Sequence, residues 1–182
     1  MRNKEFIFKI AVLGSAGVGK TSLINRYVDR MFKEDYKPTL GASIIAKDVE
    51  MTSIDTKYIV RLVLWDLAGQ EKYENVRPMY FQGCIGAILV YDVTRTSSFK
   101  EIKEKWLRDF QQFALQNSAY ILIGNKIDLN DLRKVSNKEG FELANNIKAC
   151  SFIETSAKTG ENVNDCFIVL VKEILKRLGE NI

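Results

Sequence analysis

The run Gly14-Ser15-Ala16-Gly17-Val18-Gly19-Lys20-Thr21 sets glycines, a lysine and a hydroxyl at the spacing G-x-x-x-x-G-K-T. That spacing suits phosphate. Glycines let successive backbone N–H groups turn toward phosphate oxygens, and a helix opening behind the loop adds the positive end of its dipole. Lys20 supplies a compact cation for the β- and γ-phosphates of a nucleotide. The Thr21 hydroxyl is a hard oxygen ligand of the kind Mg2+ takes, an ion that keeps several waters and needs few protein ligands. The loop alone leaves open which nucleotide binds, and whether its phosphate is consumed as fuel or read as a signal.

A second group of residues addresses the base. In "GNKID" (Gly124–Asp128) the carboxylate of Asp128 can accept two hydrogen bonds from guanine, at N1–H and at the exocyclic N2 amino group. Adenine carries an acceptor at N1 and no amino group at C2, so it would leave a desolvated carboxylate facing a lone pair. Sites built on such pairing discriminate by roughly 10⁴–10⁵. Asn-Lys-x-Asp alone is only a turn; downstream of a phosphate loop it points to guanine.

Composition removes other chemistries. With no histidine, neither a Ser-His-Asp nor a Cys-His arrangement exists, and the commonest zinc ligand is missing. Catalysis is left to carboxylates, amides, Lys, Arg, backbone N–H groups or a hard metal. Cys84, Cys150 and Cys166 form no paired motif and lie in or beside apolar stretches, so they read as core or near-core thiols in a reducing cytosol. The net charge of +4 is spread without a cluster of four or more Lys/Arg, which argues against a nucleic-acid partner. Neither a bilayer-spanning apolar run nor a signal peptide is expected.

Elements must carry these loops to one place. The 182 residues suggest one domain. Phe6–Leu13 reads as a strand ending at the phosphate loop, with a helix from about Gly19 to Arg30. Ser43–Thr52 and Lys57–Trp65 alternate apolar and polar side chains around Ser53-Ile54-Asp55, as a hairpin does. Cys84–Asp92 and Ala119–Gly124 are continuous apolar runs of the buried parallel type, with Ser151–Glu154 a weaker last strand. Two stripes recur at helical intervals: Phe99, Ile102, Trp106, Phe110 and Phe113, then Val163, Cys166, Phe167, Leu170, Ile174 and Leu178. The alternation predicts a doubly wound α/β sheet with one antiparallel hairpin strand. Gly14, Asp66 and Asn125 then fall at or just after the C-terminal ends of separate strands, the edge where open α/β sheets bind ligands.

In this order and at this spacing, "GSAGVGKT", "KPT" (Lys37–Thr39), "WDLAGQE" (Trp65–Glu71), "NKID" and "ETSAKTG" (Glu154–Gly160) resemble the Ras superfamily of small GTPases over essentially the whole chain. "WDLAGQE", "LVYDVT" (Leu89–Thr94) and "FIETSAKTGENV" (Phe152–Val163) are most similar to its Rab branch. The resemblance implies a P-loop nucleoside-triphosphatase fold, the small G domain: a mostly parallel six-stranded sheet with one antiparallel hairpin strand and helices on both faces. It implies bound GTP or GDP with Mg2+, and a slow hydrolysis that a partner accelerates. Residues 14–22 (Gly14, Ser15, Ala16, Gly17, Val18, Gly19, Lys20, Thr21 and Ser22) would cradle the phosphates. Thr39 would join Thr21 on Mg2+ and sense the γ-phosphate through its backbone. Asp66 would hold the metal through water, the Gly69 N–H would touch the γ-phosphate, and Gln70 would orient the attacking water. Phe32 would meet guanine edge-on, with Asn125 and Lys126 framing the base. Ser156, Ala157 and Lys158 would complete the base pocket, the Ala157 N–H toward the base oxygen, and Tyr36 and Leu129 would border the nucleotide. Lys20, Thr39, Gly69 and Gln70 form the catalytic set.

The sequence also departs from the family pattern. Ala16 sets a methyl where Ras has glycine, beside the γ-phosphate. Leu67 replaces a usual Thr, "LGASI" (Leu40–Ile44) differs in the stretch that selects effectors, and the Ser53–Thr56 connection reads as several residues longer than usual. No internal arginine is aimed at the γ-phosphate from the sequence alone; Arg61 belongs to a strand and Arg77 lies beyond Gln70. "KRLGENI" at the end carries no lipid-anchor signal. The expectation is a monomeric, cytoplasmic switch, peripheral to membranes through partners. Its two switch segments, about 32–41 and 67–80, would be read by exchange factors, GTPase-activating proteins and effectors through groups such as Ile44, Trp65 or Tyr73. A GTP-binding module with negligible hydrolysis is the second reading, favoured by Ala16 and opposed by Gln70. A small-molecule kinase is the third, for which the chain offers no acceptor pocket or lid.

Overall fold

A computed structural model describes residues 2–33 and 37–182. Its centre is a six-stranded sheet of order β2-β3-β1-β4-β5-β6, comprising β1 (Arg2–Leu13), β2 (Ala42–Thr52), β3 (Thr56–Leu67), β4 (Gly86–Asp92), β5 (Ala119–Asn125) and β6 (Phe152–Thr155). Only β2 runs antiparallel, paired with β3; the other neighbours are parallel. This is the mostly parallel six-stranded sheet with one antiparallel hairpin strand that the resemblance implies.

Alternation along each strand divides the core. Ile10 and Val12 of β1, with Ile88 and Val90 of β4, face one side, where they meet α1 (Lys20–Asp29) and α5 (Val163–Arg177). Ala11, Leu13, Ala87, Leu89 and Tyr91 face the other. There they pack against α2 (Arg77–Phe81), α3 (96–113) and α4 (Asn137–Asn146). Tyr27 of α1 stacks on Phe167 of α5 at 3.9 Å between ring centroids, so the helix that opens the phosphate loop rests on the last helix.

Several details differ from the sequence reading. β1 begins at Arg2, because residues 2–5 continue the parallel ladder against Thr56–Ile59. The hairpin connection is a tight turn closed by Ser53 N–H on the Thr56 carbonyl; the length lies in strands of 11 and 12 residues. α3 is not a plain α-helix: Thr96–Glu101 passes into a π-helical turn, Ile102–Leu107, before Arg108–Phe113. α4 has no counterpart among the apolar stripes of the sequence, although Ser136 and Glu139 form a complete capping box at its start.

Candidate functional site

The sheet ends where the motifs begin. Leu13 closes β1, Asp66 is the penultimate residue of β3, Asn125 closes β5 and Thr155 closes β6. Their loops surround a cleft of about 750 Å³, within the usual range for small-molecule sites. Ala16, Gly17, Gly19, Lys20, Thr21, Ser22, Phe32, Thr39, Gly69, Gln70, Asn125, Lys126, Asp128, Leu129, Ala157 and Lys158 all border it. Gly14, Ser15, Val18, Asp66 and Ser156 stand behind this lining, and Tyr36 lies outside the described residues.

The phosphate loop is shaped by close backbone approach. Gly19 has φ of 100° at the N-cap of α1, and a Cβ there would stand 2.3 Å from the Asn125 side-chain nitrogen. Lys20 is buried, and its ammonium donates to the Gly14 and Ser15 carbonyls at 2.7 and 3.0 Å. Burial pulls its pKa down to about 8, against the opposing pull of Asp66 and assisted by Arg77 and Arg95. A cation that is costly to hold without a counter-charge gains on meeting phosphate.

Beside it the Thr21 hydroxyl donates to Asp66 Oδ2 and lies 2.9 Å from the Thr39 hydroxyl. Asp66 Oδ1 is buried without a hydrogen-bond partner, and burial pushes the carboxyl pKa up, with Thr21 and Lys20 opposing. Two hydroxyls and an orphaned carboxylate oxygen form a hard donor set that fits Mg2+.

At the base end, Asn125 is a structural tie. Its amide nitrogen donates to the Val18 carbonyl at 2.9 Å, and its oxygen accepts from Thr155 Oγ1 at 3.0 Å and the Ala157 N–H at 3.2 Å. One side chain thus joins the phosphate loop, β5 and the loop after β6. The Ala157 N–H, expected to point at the base, is engaged by Asn125 here. Asp128 accepts from the Ser156 hydroxyl at 2.6 Å, which turns the carboxylate toward one side. Lys126 adopts φ of 72°, and its ammonium pairs with Asp92 at 2.7 Å. Arg26 of α1 donates to the Ala157 and Lys158 carbonyls, anchoring the same loop from below. Phe32 is half-buried against the core and also borders the cleft.

Gly69 is pressed onto the phosphate loop: a Cβ there would lie 2.3 Å from the Ala16 nitrogen. No other residue allows that approach. Two arginines stand nearby: Arg77, set aside in the sequence as lying beyond Gln70, and Arg95, which sequence reasoning missed. Arg77 is 1% exposed, lies 4.3 Å from the Trp106 ring centroid, and donates to the Gln70 carbonyl at 2.9 Å. Arg95 donates to the Ala16 carbonyl at 2.7 Å. Arg61, by contrast, pairs with Asp48 on the exposed sheet face, away from the cleft. Of the partner-facing groups, Ile44 is 55% exposed, whereas Trp65 is half-buried beneath Lys9 and against Tyr80.

The sequence model of the Ras family matches residues 9–176. The chain belongs to the Ras family. It is 39% identical to the Ras-related protein Rab-1 of Theileria parva, over 99% of this chain and 80% of that protein. It is 38% identical to Rab-4A of Bos taurus, over 96% of this chain and 77% of the other, and 36% identical to Rab-12 of Mus musculus, over 97% and 71%. Within the superfamily it is a small GTPase of the Rab branch, a protein that binds GTP and GDP and hydrolyses GTP. Among the described residues, no helix of this Ras-family protein is long and apolar enough to cross a membrane.

Proposed function

We propose that the 182 residues act as one guanine-nucleotide switch, in which hydrolysis is slow and the γ-phosphate is read by partners in Rab-like trafficking or signalling. The observation that carries this reading is the shared border of the cleft. Lys20, Thr39, Gly69 and Gln70 line one end of it, and Asp128 with Ala157 the other. A single nucleotide spanning the cleft would touch both switch segments only when it carries a γ-phosphate.

In this reading Asp128, held by Ser156, accepts from guanine. Lys126 covers the base with its stem, and Phe32, Leu129 and Lys158 close the pocket. Loop N–H groups and Lys20 bind the phosphates. Thr21, Thr39 and Asp66 would hold Mg2+, which when bound neutralises phosphate charge. Gln70 orients the attacking water without accepting its proton, since phosphoryl transfer depends on positioning and charge stabilisation more than on a strong base. Exchange factors, activating proteins and effectors would bind the two switch segments, about 32–41 and 67–80, and an activator's arginine would add roughly 10³–10⁵ in rate.

Single-turnover hydrolysis by wild type and Gln70→Leu tests the assignment. The variant should keep GTP affinity nearly intact and hydrolyse slowly, because a hydrocarbon of similar length cannot hydrogen-bond water. Equal rates, with and without an activating partner, would remove Gln70 from the mechanism. Ala16→Gly should instead speed the partner-assisted reaction, by opening room of one methyl beside the γ-phosphate.

A further inference from the structure

Arg95 sits in the turn that joins β4 to α3. Its N–H donates to the Asp92 carbonyl at 2.9 Å, and its own carbonyl accepts from the Ser98 hydroxyl at 2.7 Å. Asp92 Oδ1 in turn accepts the Thr94 N–H at 2.8 Å. The backbone carrying this side chain is therefore fixed. From it the guanidinium reaches across to the phosphate loop, where Nη2 donates to the Ala16 carbonyl. Nη1 lies 3.8 Å from the position a Cβ would take on Gly17, and Nε is buried without a partner. A second latch runs alongside, the Ser15 hydroxyl donating to the Glu101 carboxylate of α3.

The Ala16–Gly17 peptide is trans, like every other among the described residues. In a trans peptide the carbonyl and the following N–H point in opposite directions. Holding the Ala16 carbonyl on Arg95 turns the Gly17 N–H away from the guanidinium, and Gly17 itself borders the cleft. Gly17 has φ of 76°, a left-handed conformation that glycine adopts without strain but does not by itself enforce. Something outside the loop must choose the peptide's orientation.

We propose that Arg95 is a positioning residue for the phosphate loop: by holding the Ala16 carbonyl, it fixes the Gly17 N–H as a donor to the phosphate chain of GDP and GTP. This rests on the reading that the loop holds nucleotide phosphates. It gives the chain an internal arginine that acts on phosphate through the backbone, not by touching it. Charge-assisted hydrogen bonds are about twice as strong as neutral ones, so a single guanidinium suffices to bias one peptide plane.

The test compares Arg95→Met, which keeps the length and loses the donors, with Arg95→Lys, which keeps one charged donor. Competition binding would be run with guanosine and with GDP, and ³¹P NMR would follow the bound phosphates. Arg95→Met should bind GDP about ten-fold or more weakly than wild type while its guanosine affinity stays within about two-fold. Arg95→Lys should recover part of the loss, and the bound β-phosphate resonance should move in Arg95→Met. Equal loss of guanosine and GDP, or no loss of either, would overturn the proposal; should Arg95→Met fail to fold, Arg95→Ala takes its place, and an Arg95→Ala protein whose GDP affinity and phosphate spectrum match wild type would overturn it equally. A wild type that binds GDP no more tightly than guanosine would overturn the phosphate-site reading itself, a result distinct from any behaviour of the variants.

Discussion

Two side chains divide the labour of recognition along the cleft. Asp128 presents a carboxylate that Ser156 already orients, so guanine meets an acceptor fixed in advance. Asp128→Asn would set an amide N–H against a guanine donor while suiting the C2 carbonyl of xanthine. GTP affinity should fall and xanthosine triphosphate should become the better ligand in a competition titration; equal competition by ATP and GTP for wild type would defeat the guanine assignment. Lys20 governs the other end. Its pKa is drawn down to about 8 by burial, so the folded protein releases this proton before the unfolded chain does. Below about pH 8 the nucleotide-free fold carries the full cost of a buried cation, and the cost is relieved as pH rises toward the lysine's ordinary value. Phosphate reverses the preference, because an anion favours the charged lysine. GDP binding above pH 8 should therefore take up a proton and weaken with rising pH. Calorimetry in buffers of different ionisation enthalpy reads that uptake directly, and Lys20→Met should abolish it.

At the scale of elements, the loops are only as precise as the helices behind them. α1 opens the phosphate loop and leans on α5 through the Tyr27–Phe167 stack, with Leu170, Val171 and Ile174 completing the buried stripe. Phe167→Ala would remove a fully packed ring and should lower unfolding stability by about 3–5 kcal/mol in denaturant titrations. Much of this level was legible beforehand. Continuous apolar runs marked β4 and β5, and stripes at helical spacing marked α3 and α5, because burial on one or two faces leaves a period in the sequence. What was not legible has equally physical reasons. The π-helical turn in α3 shows no signature of its own, since the same apolar spacing fits an α-helix. It nevertheless lies where Trp106 comes under Arg77 and Lys105 pairs with Glu74, so it faces the segment that carries Gln70. Arg95 was invisible because its partner is a backbone carbonyl 79 residues earlier, and carbonyls belong to every residue type. Asn125 was found by its motif, yet its part in holding Val18 and Ala157 together required coordinates. α4 could have been read from Ser136 and Glu139, and Ser136→Ala should cost about 1 kcal/mol through loss of that cap.

Across the whole molecule, the cleft lies where the sheet's parallel order brings four loops together, and each loop returns to a different strand. The cleft is bordered by the loop after β1, the segment before β2, the loop after β3 and the loops after β5 and β6. A nucleotide filling it would tie both ends of the sheet's site edge to one rigid body, and binding to the folded state alone must then stabilise the fold. At a hundred times its Kd, nucleotide should add about 2.7 kcal/mol to unfolding stability. The stabilisation by GDP and by a non-hydrolysable GTP analogue need not be distributed alike. Tyr58, Phe167 and the strands they pack against lie in the core, remote from any γ-phosphate, and should gain the same protection with either ligand. Residues 37–41 and 69–76 differ in kind: none of their side chains is buried, Thr39 lies 2.9 Å from the Thr21 hydroxyl, Gly69 rests on the phosphate loop, and the Gln70 carbonyl accepts from Arg77 and the Tyr73 N–H. With no side chain of theirs buried, a single phosphate contact on each shifts their local opening strongly. Hydrogen exchange should therefore slow in these two segments with the triphosphate analogue relative to GDP, while β4 and β5 exchange equally in both. Identical exchange throughout would mean that the γ-phosphate is bound without being sensed, and the protein would be a nucleotide-holding module instead of a switch.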